Sequence, residues 1–313
     1  MTHGRGRLLS RLGVLFTLLL GAVGAHAYEP RAEKVVANVY AIVGPLGQRS
    51  AGNDGLNTNY GFIVTPTGVI LIDSGASRLG AQKIEAAIGT VTKQPVRWVI
   101  NTGSQDHRWL GNHHFAARGA EVIALARTAA MQAELGAQQL DNLERFLGAR
   151  LAGTRPLPAP KPLAGESATL ELGGETLQLA YTDAHFPGDA WVWLPKQRIV
   201  FGGDLVYVDR LLGVMPLSSV AHGQRAFRAM AALDSARIVP GHGRVCDLAQ
   251  AQRETGDYYD FLADVVGAAA REMEPIDATL DRYTDLPAFR RLQNYGDLHR
   301  ANMNRAFIEF EAQ

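Results

Sequence analysis

Short apolar bursts separated by turn residues dominate the first half of the chain, and longer helical periods dominate the end. Lys34 to Val43 is apolar and β-branched and predicts a strand. Tyr60 to Val64 and Val69 to Asp73 flank Thr65-Pro-Thr-Gly68, the pattern of a hairpin. A helical period follows from Leu79 to Ile88, then a strand from Val96 to Asn101 and a short helix from Arg108 to Ala117. Glu121 to Ala126 predicts a strand, and Thr128 to Leu151 a long helix. Thr154 to Leu163 carries Pro156, Pro158, Pro160 and Pro162 and predicts a surface loop. Two further hairpins follow: Thr169 to Leu172 with Thr176 to Tyr181, and Trp191 to Leu194 with Arg198 to Phe201. Gln224 to Leu233 is helical, and Arg237 to Val239 is a last short strand. Helical patterns run from Ala249 to Arg271 and from Leu286 to Glu311. Strands and hairpins followed by helices, twice over, predict two sheets covered by helices, an α/β sandwich.

Several strands end in loops rich in acidic and imidazole side chains. These are Leu71-Ile-Asp-Ser-Gly75, Asn101-Thr-Gly-Ser-Gln-Asp-His107, Asp183-Ala-His-Phe-Pro-Gly-Asp189, Phe201-Gly-Gly-Asp204 and Val239-Pro-Gly-His242. Functional loops of layered folds gather at one edge of the sheets. Asp106, His107, His185, Asp204 and His242 are therefore candidate metal ligands, since zinc takes imidazole and carboxylate and leaves a place for water. One His alone in a loop is more often a local hydrogen-bonder, and Asp73 could merely cap a turn. The joint order and spacing carry the inference.

Composition narrows the partners. Lys plus Arg and Asp plus Glu number 31 each, so no net field points to nucleic acid or an anionic membrane. Arg5, Arg7 and Arg11, the apolar run Leu12 to Gly24 and Ala25-His-Ala27 form the pattern of a secretory signal over residues 1–27. The mature chain is expected to start near Tyr28, in a bacterial periplasm. Cys246 is the single cysteine, which excludes an internal disulfide; a buried, unreactive thiol is its expected state.

The five loops resemble the metal-binding loops of the metallo-β-lactamase superfamily, and within it the quinoprotein relay system zinc metallohydrolases. The resemblance implies an αββα four-layer sandwich over residues 28–250, with a helical extension over 251–313 packed on the same domain. It also implies an exported metal-dependent hydrolase of a small ester, thioester or acyl compound, linked to periplasmic quinoprotein alcohol oxidation. One loop departs from the pattern. Where the superfamily carries His-x-His-x-Asp-His, this chain has Gly103-Ser-Gln-Asp-His107-Arg108. Without a gap, Gly103 and Gln105 replace the histidine pair, His107 takes the aspartate position and Arg108 the last histidine position. With a one-residue deletion after Gln105 and an insertion in Arg108-Trp-Leu110, Asp106 and His107 keep the usual roles.

Both alignments leave one metal rather than two, held by His107, His185, Asp204 and His242 with Asp106 as a fifth candidate. Zinc suits these donors, and iron or manganese would suit a higher coordination number. If not a ligand, Asp106 is the expected general base. Asp73 is expected to steady a ligand loop, Gln105 to be a weak donor, and Arg108 to hold an anionic substrate group where a second zinc would sit. The alternative is a non-catalytic metal- or cofactor-binding accessory of a periplasmic quinoprotein.

Overall fold

In β4 (Gly68–Ile72) every residue is buried, because alternate side chains meet different layers. Val69 and Leu71 face a helical layer, while Ile70 and Ile72 face a second sheet. A computed structural model describes Met1 and residues 28–312. The expected signal over residues 1–27 lies, Met1 apart, outside them. β1 (Ala32–Val36), β2 (Val39–Ile42), β3 (Tyr60–Thr65), β4, β5 (Val96–Ile100) and β6 (Glu121–Ile123) form one six-stranded sheet in that order. β7 (Ser167–Leu172), β8 (Glu175–Tyr181), β9 (Ala190–Leu194), β10 (Ile199–Phe201) and β11 (Arg237–Val239) form the other, in the reverse order. Ile63, Ile100, Leu179, Val192 and Phe201 interdigitate between the sheets.

Helices close both outer faces, giving an αββα sandwich. α1 (Arg78–Gly89) starts at Ser77, whose hydroxyl accepts from Gly80 N at 3.0 Å. It buries Ala81, Ile84 and Ile88 at helical spacing against the first sheet. On the far side, the helix Val220–Ala231, the helical segment over residues 248–271 and the C-terminal helix Tyr295–Glu311 pack on the second sheet. Trp191, Phe227, Tyr258, Leu262 and Phe307 share that cluster. The segment 248–271 contains two wide-turn stretches, Gln252–Gly256 and Phe261–Val266. No helix among the described residues is long and apolar enough to cross a membrane.

Four segments differ from the sequence pattern, each for a local reason. Lys34 to Val43 is two strands, because Ala37-Asn38 turns the chain, with Asn38 at φ 63°. The helix expected over 108–117 is two turns, α2 (Asp106–Trp109) and α3 (Asn112–Ala116). Gly111 breaks them where its backbone passes Ser74 O so closely that a Cβ would collide with it. The C-terminal helix begins at Tyr295 rather than Leu286, after Asn294 at φ 65°. A short helix, Ile276–Arg282, precedes it. Ala51 to Gly55, whose composition predicts a mobile loop, includes buried Asp54, which pairs with Lys83 at 2.8 Å and with Arg150.

Candidate metal centre

The loops after β4, β5, β10 and β11 meet at one edge of the sandwich. Asn101 and Asn112 exchange amide hydrogen bonds of 2.7 and 3.1 Å and so clamp the ends of the altered loop. Inside it, Gln105 lies beside His185 and Arg108 beside Asp204. This is the arrangement of the ungapped alignment.

His107, Asp204 and His242 offer ligand atoms within 4.8 Å of one another, all buried. His107 Nε2 is 3.1 Å from one Asp204 oxygen, and His242 Nε2 is 3.3 Å from the other. His242 Nδ1–H donates to Asn57 O at 2.8 Å, which leaves Nε2 as a bare lone pair facing a carboxylate oxygen. His107 is placed between two carboxylates. Its Nδ1 is buried without a hydrogen-bond partner, 3.4 Å from Asp106 Oδ1. Each of its ring nitrogens therefore faces a carboxylate oxygen. The cluster is a candidate cation site, beside the two Arg108 nitrogens that already donate to Asp204. Its two nitrogens and carboxylate fit zinc.

His185 stands apart from that triad. Its Nδ1–H donates to Gly213 O at 2.8 Å, and its Nε2 lies 3.1 Å from the Gln105 amide. Burial lowers the pKa of His185 to about 4 and that of His242 to about 3, so both are neutral at working pH. Tyr207 stacks on His242 at 4.7 Å between centroids and lies 5.9 Å from the His185 ring.

Asp106 is also outside the triad. Burial would raise its pKa, but Arg49 and His107 outweigh that and hold it at about 2. It pairs with Arg49 and accepts from His107 N at 2.7 Å. A carboxylate so readily ionised is a weak proton acceptor, so the general-base role expected of Asp106 does not follow from its surroundings. Arg108 differs from expectation as well. Its Nε donates to Asp204 at 3.1 Å, Nη2 pairs with the other Asp204 oxygen, and Nη1 donates to Asp73 at 3.0 Å and Asn59 O at 3.1 Å. With its fork filled by protein acceptors, it has little left for a substrate anion. Burial would raise the Asp204 pKa, but Arg108 and His107 hold it well below the carboxylate range.

Asp73 bridges two of the loops. At φ 61° it accepts from Thr102 N at 2.7 Å and Thr102 Oγ1 at 2.6 Å. Asp189 accepts from Phe186 N at 2.6 Å, while its other oxygen lies where a side chain at position 103 would begin. His114 pairs with Glu85 at 2.7 Å on the helical side. Cys246 is buried, and its thiol pKa is pushed up to about 12.

Sequence patterns did not single out Arg49, Arg210 or Asn302. Arg49 and Arg210 line the same cavity of about 260 Å3 as His107, His185 and His242. Asn302, on the C-terminal helix, donates to Leu212 O and accepts from Val214 N, both at 2.8 Å, and so holds Gly213 under His185. The nearest sequence cue was that Arg210 follows Asp204 closely in the chain.

The model of the metallo-β-lactamase superfamily matches residues 53–242, more than half of the chain. The chain belongs to the metallo-β-lactamase superfamily. A metallo-β-lactamase from Pontibacter korlensis superposes with a TM-score of 0.60 at 20% identity, covering 74% of this chain and 99% of that one. The mono-zinc form of the FIM-1 metallo-β-lactamase from Pseudomonas aeruginosa gives 0.58 at 18% identity, covering 75% and 96%. A double mutant of the sec-alkyl sulfatase PisA1 gives 0.70 at 12% identity, covering 90% of this chain and 50% of that one. At these identities the structures share the fold. No curated protein matches the chain significantly.

Proposed function

We propose that the chain is an exported metal-dependent hydrolase with one metal ion, zinc by donor preference, held by His107, Asp204 and His242. The observation that carries this is the convergence of the His107 and His242 imidazoles on the buried Asp204 carboxylate, with His242 Nε2 left as a lone pair. When bound, the ion would supply a Lewis acid and a water acidified toward neutrality. The chain's own residues do the rest. Asn57 O fixes the His242 tautomer, Gly213 O fixes that of His185, and Asp106 keeps Arg49 against the cavity. His185 Nε2, on a neutral ring lining the cavity beside Gln105, is positioned to hydrogen-bond a substrate or water. A small ester, thioester or acyl compound suits the cavity of about 260 Å3. Export rests on the pattern of residues 1–27, and a link to quinoprotein alcohol oxidation rests on resemblance of the loops alone.

The test is metal analysis of purified chain after zinc loading, beside a screen of small esters and thioesters. Wild type should hold about one ion per chain, and His242→Ala far less. A wild type as metal-free as His242→Ala would overturn the assignment. A second reading, a non-catalytic accessory, is favoured by the Arg108 pairing with Asp204, which already supplies a fixed cation. Under it, Arg108 alone supplies the cation of the cluster, and no panel member is hydrolysed.

A further inference from the structure

One wall of the cavity, within residues 211–221, is fastened largely from the C-terminal segment. Gly213 and Met215 of this wall line the cavity. Leu211 N donates to Gln293 O at 2.9 Å. Arg305 Nη1 donates to Val214 O at 2.6 Å, and Glu309 accepts from Ser219 Oγ and Val220 N, both at 2.7 Å. Between these ties sits Asn302, fully buried, whose amide spans Gly213 by donating to Leu212 O and accepting from Val214 N.

The hydrogen bonds behind Asn302 have fixed directions. Tyr283 O can only accept, so His299 Nε2, 2.8 Å away, carries the ring proton. Burial lowers the His299 pKa and keeps the ring neutral, which leaves a lone pair on Nδ1. That lone pair accepts from Tyr258 OH at 2.9 Å. With its proton so engaged, the Tyr258 oxygen accepts from Asn302 Nδ2 at 3.3 Å. The amide is thereby oriented, Nδ2 toward Tyr258 and Leu212 O, Oδ1 toward Val214 N. The peptide it clasps presents Gly213 O to His185 Nδ1 at 2.8 Å. A carbonyl only accepts, so Nδ1 carries the His185 proton and Nε2 keeps its lone pair beside Gln105.

We infer that Asn302 is a positioning residue that sets the tautomer of His185 by fixing Gly213 O, with Tyr258 and His299 orienting Asn302 from behind. The C-terminal helix is thereby part of the site. The inference rests on the hydrolase reading only for the use of His185: its Nε2 meets a substrate or water as an acceptor, where the other tautomer would offer a donor.

Nitrogen-15 NMR of histidine-labelled, metal-free protein tests this, with the His185 signals assigned by their loss in His185→Gln. Wild type should show His185 as the Nδ1–H tautomer. Asn302→Leu, which frees Gly213, should lower the ratio of Nδ1–H to Nε2–H forms by about fivefold or more. Tyr258→Phe keeps the ring and removes the hydroxyl. It should lower the ratio by about twofold, and it carries the test if Asn302→Leu does not fold. Ile84→Ala, in the helical layer over the other sheet, should leave the ratio unchanged. An Nε2–H tautomer in wild type would overturn the inference. So would a ratio unmoved in the variants that fold, or one moved as far by Ile84→Ala, the result for general loosening. Zinc content and ester hydrolysis of the same wild-type preparation separate the two readings. A tautomer that depends on Asn302 without bound zinc or turnover keeps the positioning and removes the hydrolase; zinc and turnover with an unmoved ratio do the reverse.

Discussion

Replacing Arg108 with Met keeps much of the volume and removes the charge between two buried carboxylates. Arg108 holds Asp204 through two nitrogens and Asp73 through a third, all three side chains being almost fully buried. At an effective dielectric near 20, each close pair contributes about 4 kcal/mol before desolvation. The cost of desolvating the guanidinium offsets part of this, and breaking such a buried pair typically costs about 3–5 kcal/mol. For a chain of this size that corresponds to a melting temperature lower by roughly 10 °C. The pH dependence follows from the shifts. In wild type, Asp204 is depressed, so its contribution is present at neutral pH and lost only as pH falls through that low folded value. Asp73 is raised by burial, against the pull of Arg108. Without Arg108, burial raises both carboxyls, and their cost is full above the raised values and fades as pH falls toward about 4. Urea unfolding with EDTA present, at pH 7.5 and pH 4.5, should therefore show a large deficit that shrinks in acid. A deficit below about 1 kcal/mol at pH 7.5, or one equal at both pH values, would refute the reasoning.

Acid should also act through the imidazoles. The unfolded chain protonates His185 near pH 6.5, whereas the folded chain does so near 4, so stability falls as pH drops from 6.5 toward 4. Between pH 7 and pH 5, metal-free wild type should lose up to about 2 kcal/mol more than His185→Gln in urea titrations; equal losses would contradict the burial of a neutral ring. Restoring the histidine pair with Gly103→His and Gln105→His should not add a second metal equivalent. A Cβ at position 103 would lie 2.6 Å from Asp189 Oδ1, which occupies the space. Metal stoichiometry by atomic emission checks this, and a gain of about one ion with the fold intact would refute it.

Much of the architecture was legible because its signals are local. Val69 to Ile72 and Trp191 to Leu194 are short continuous apolar runs, the mark of strands buried on both faces. The break at Gly111 was not, since it depends on Ser74, far away in sequence. Similarly, the late start of the C-terminal helix follows from Asn294 at positive φ after a packed irregular stretch. At the centre, the identities of His107, Asp204 and His242 could be read from loop spacing. Their bonding could not, because it depends on side-chain direction. Asp106 and His107 are adjacent, yet one turns to Arg49 and the other to Asp204. Asn302 has no motif of its own; its hold on the peptides around Gly213 is visible only once the C-terminal helix has packed beside the cavity.

The Arg108 guanidinium is attached to the backbone, whereas a zinc ion is exchangeable. A dinuclear centre that depended on two dissociable ions would lose its loop order whenever the supply of metal fell. Here Arg108 ties the Asp73 loop to the Asp204 loop, and α2 to both, at an effective concentration set by the covalent chain. Chelators cannot remove it. Under the proposed function, the metal-free protein keeps its loops assembled, so loading is a filling step rather than a folding step.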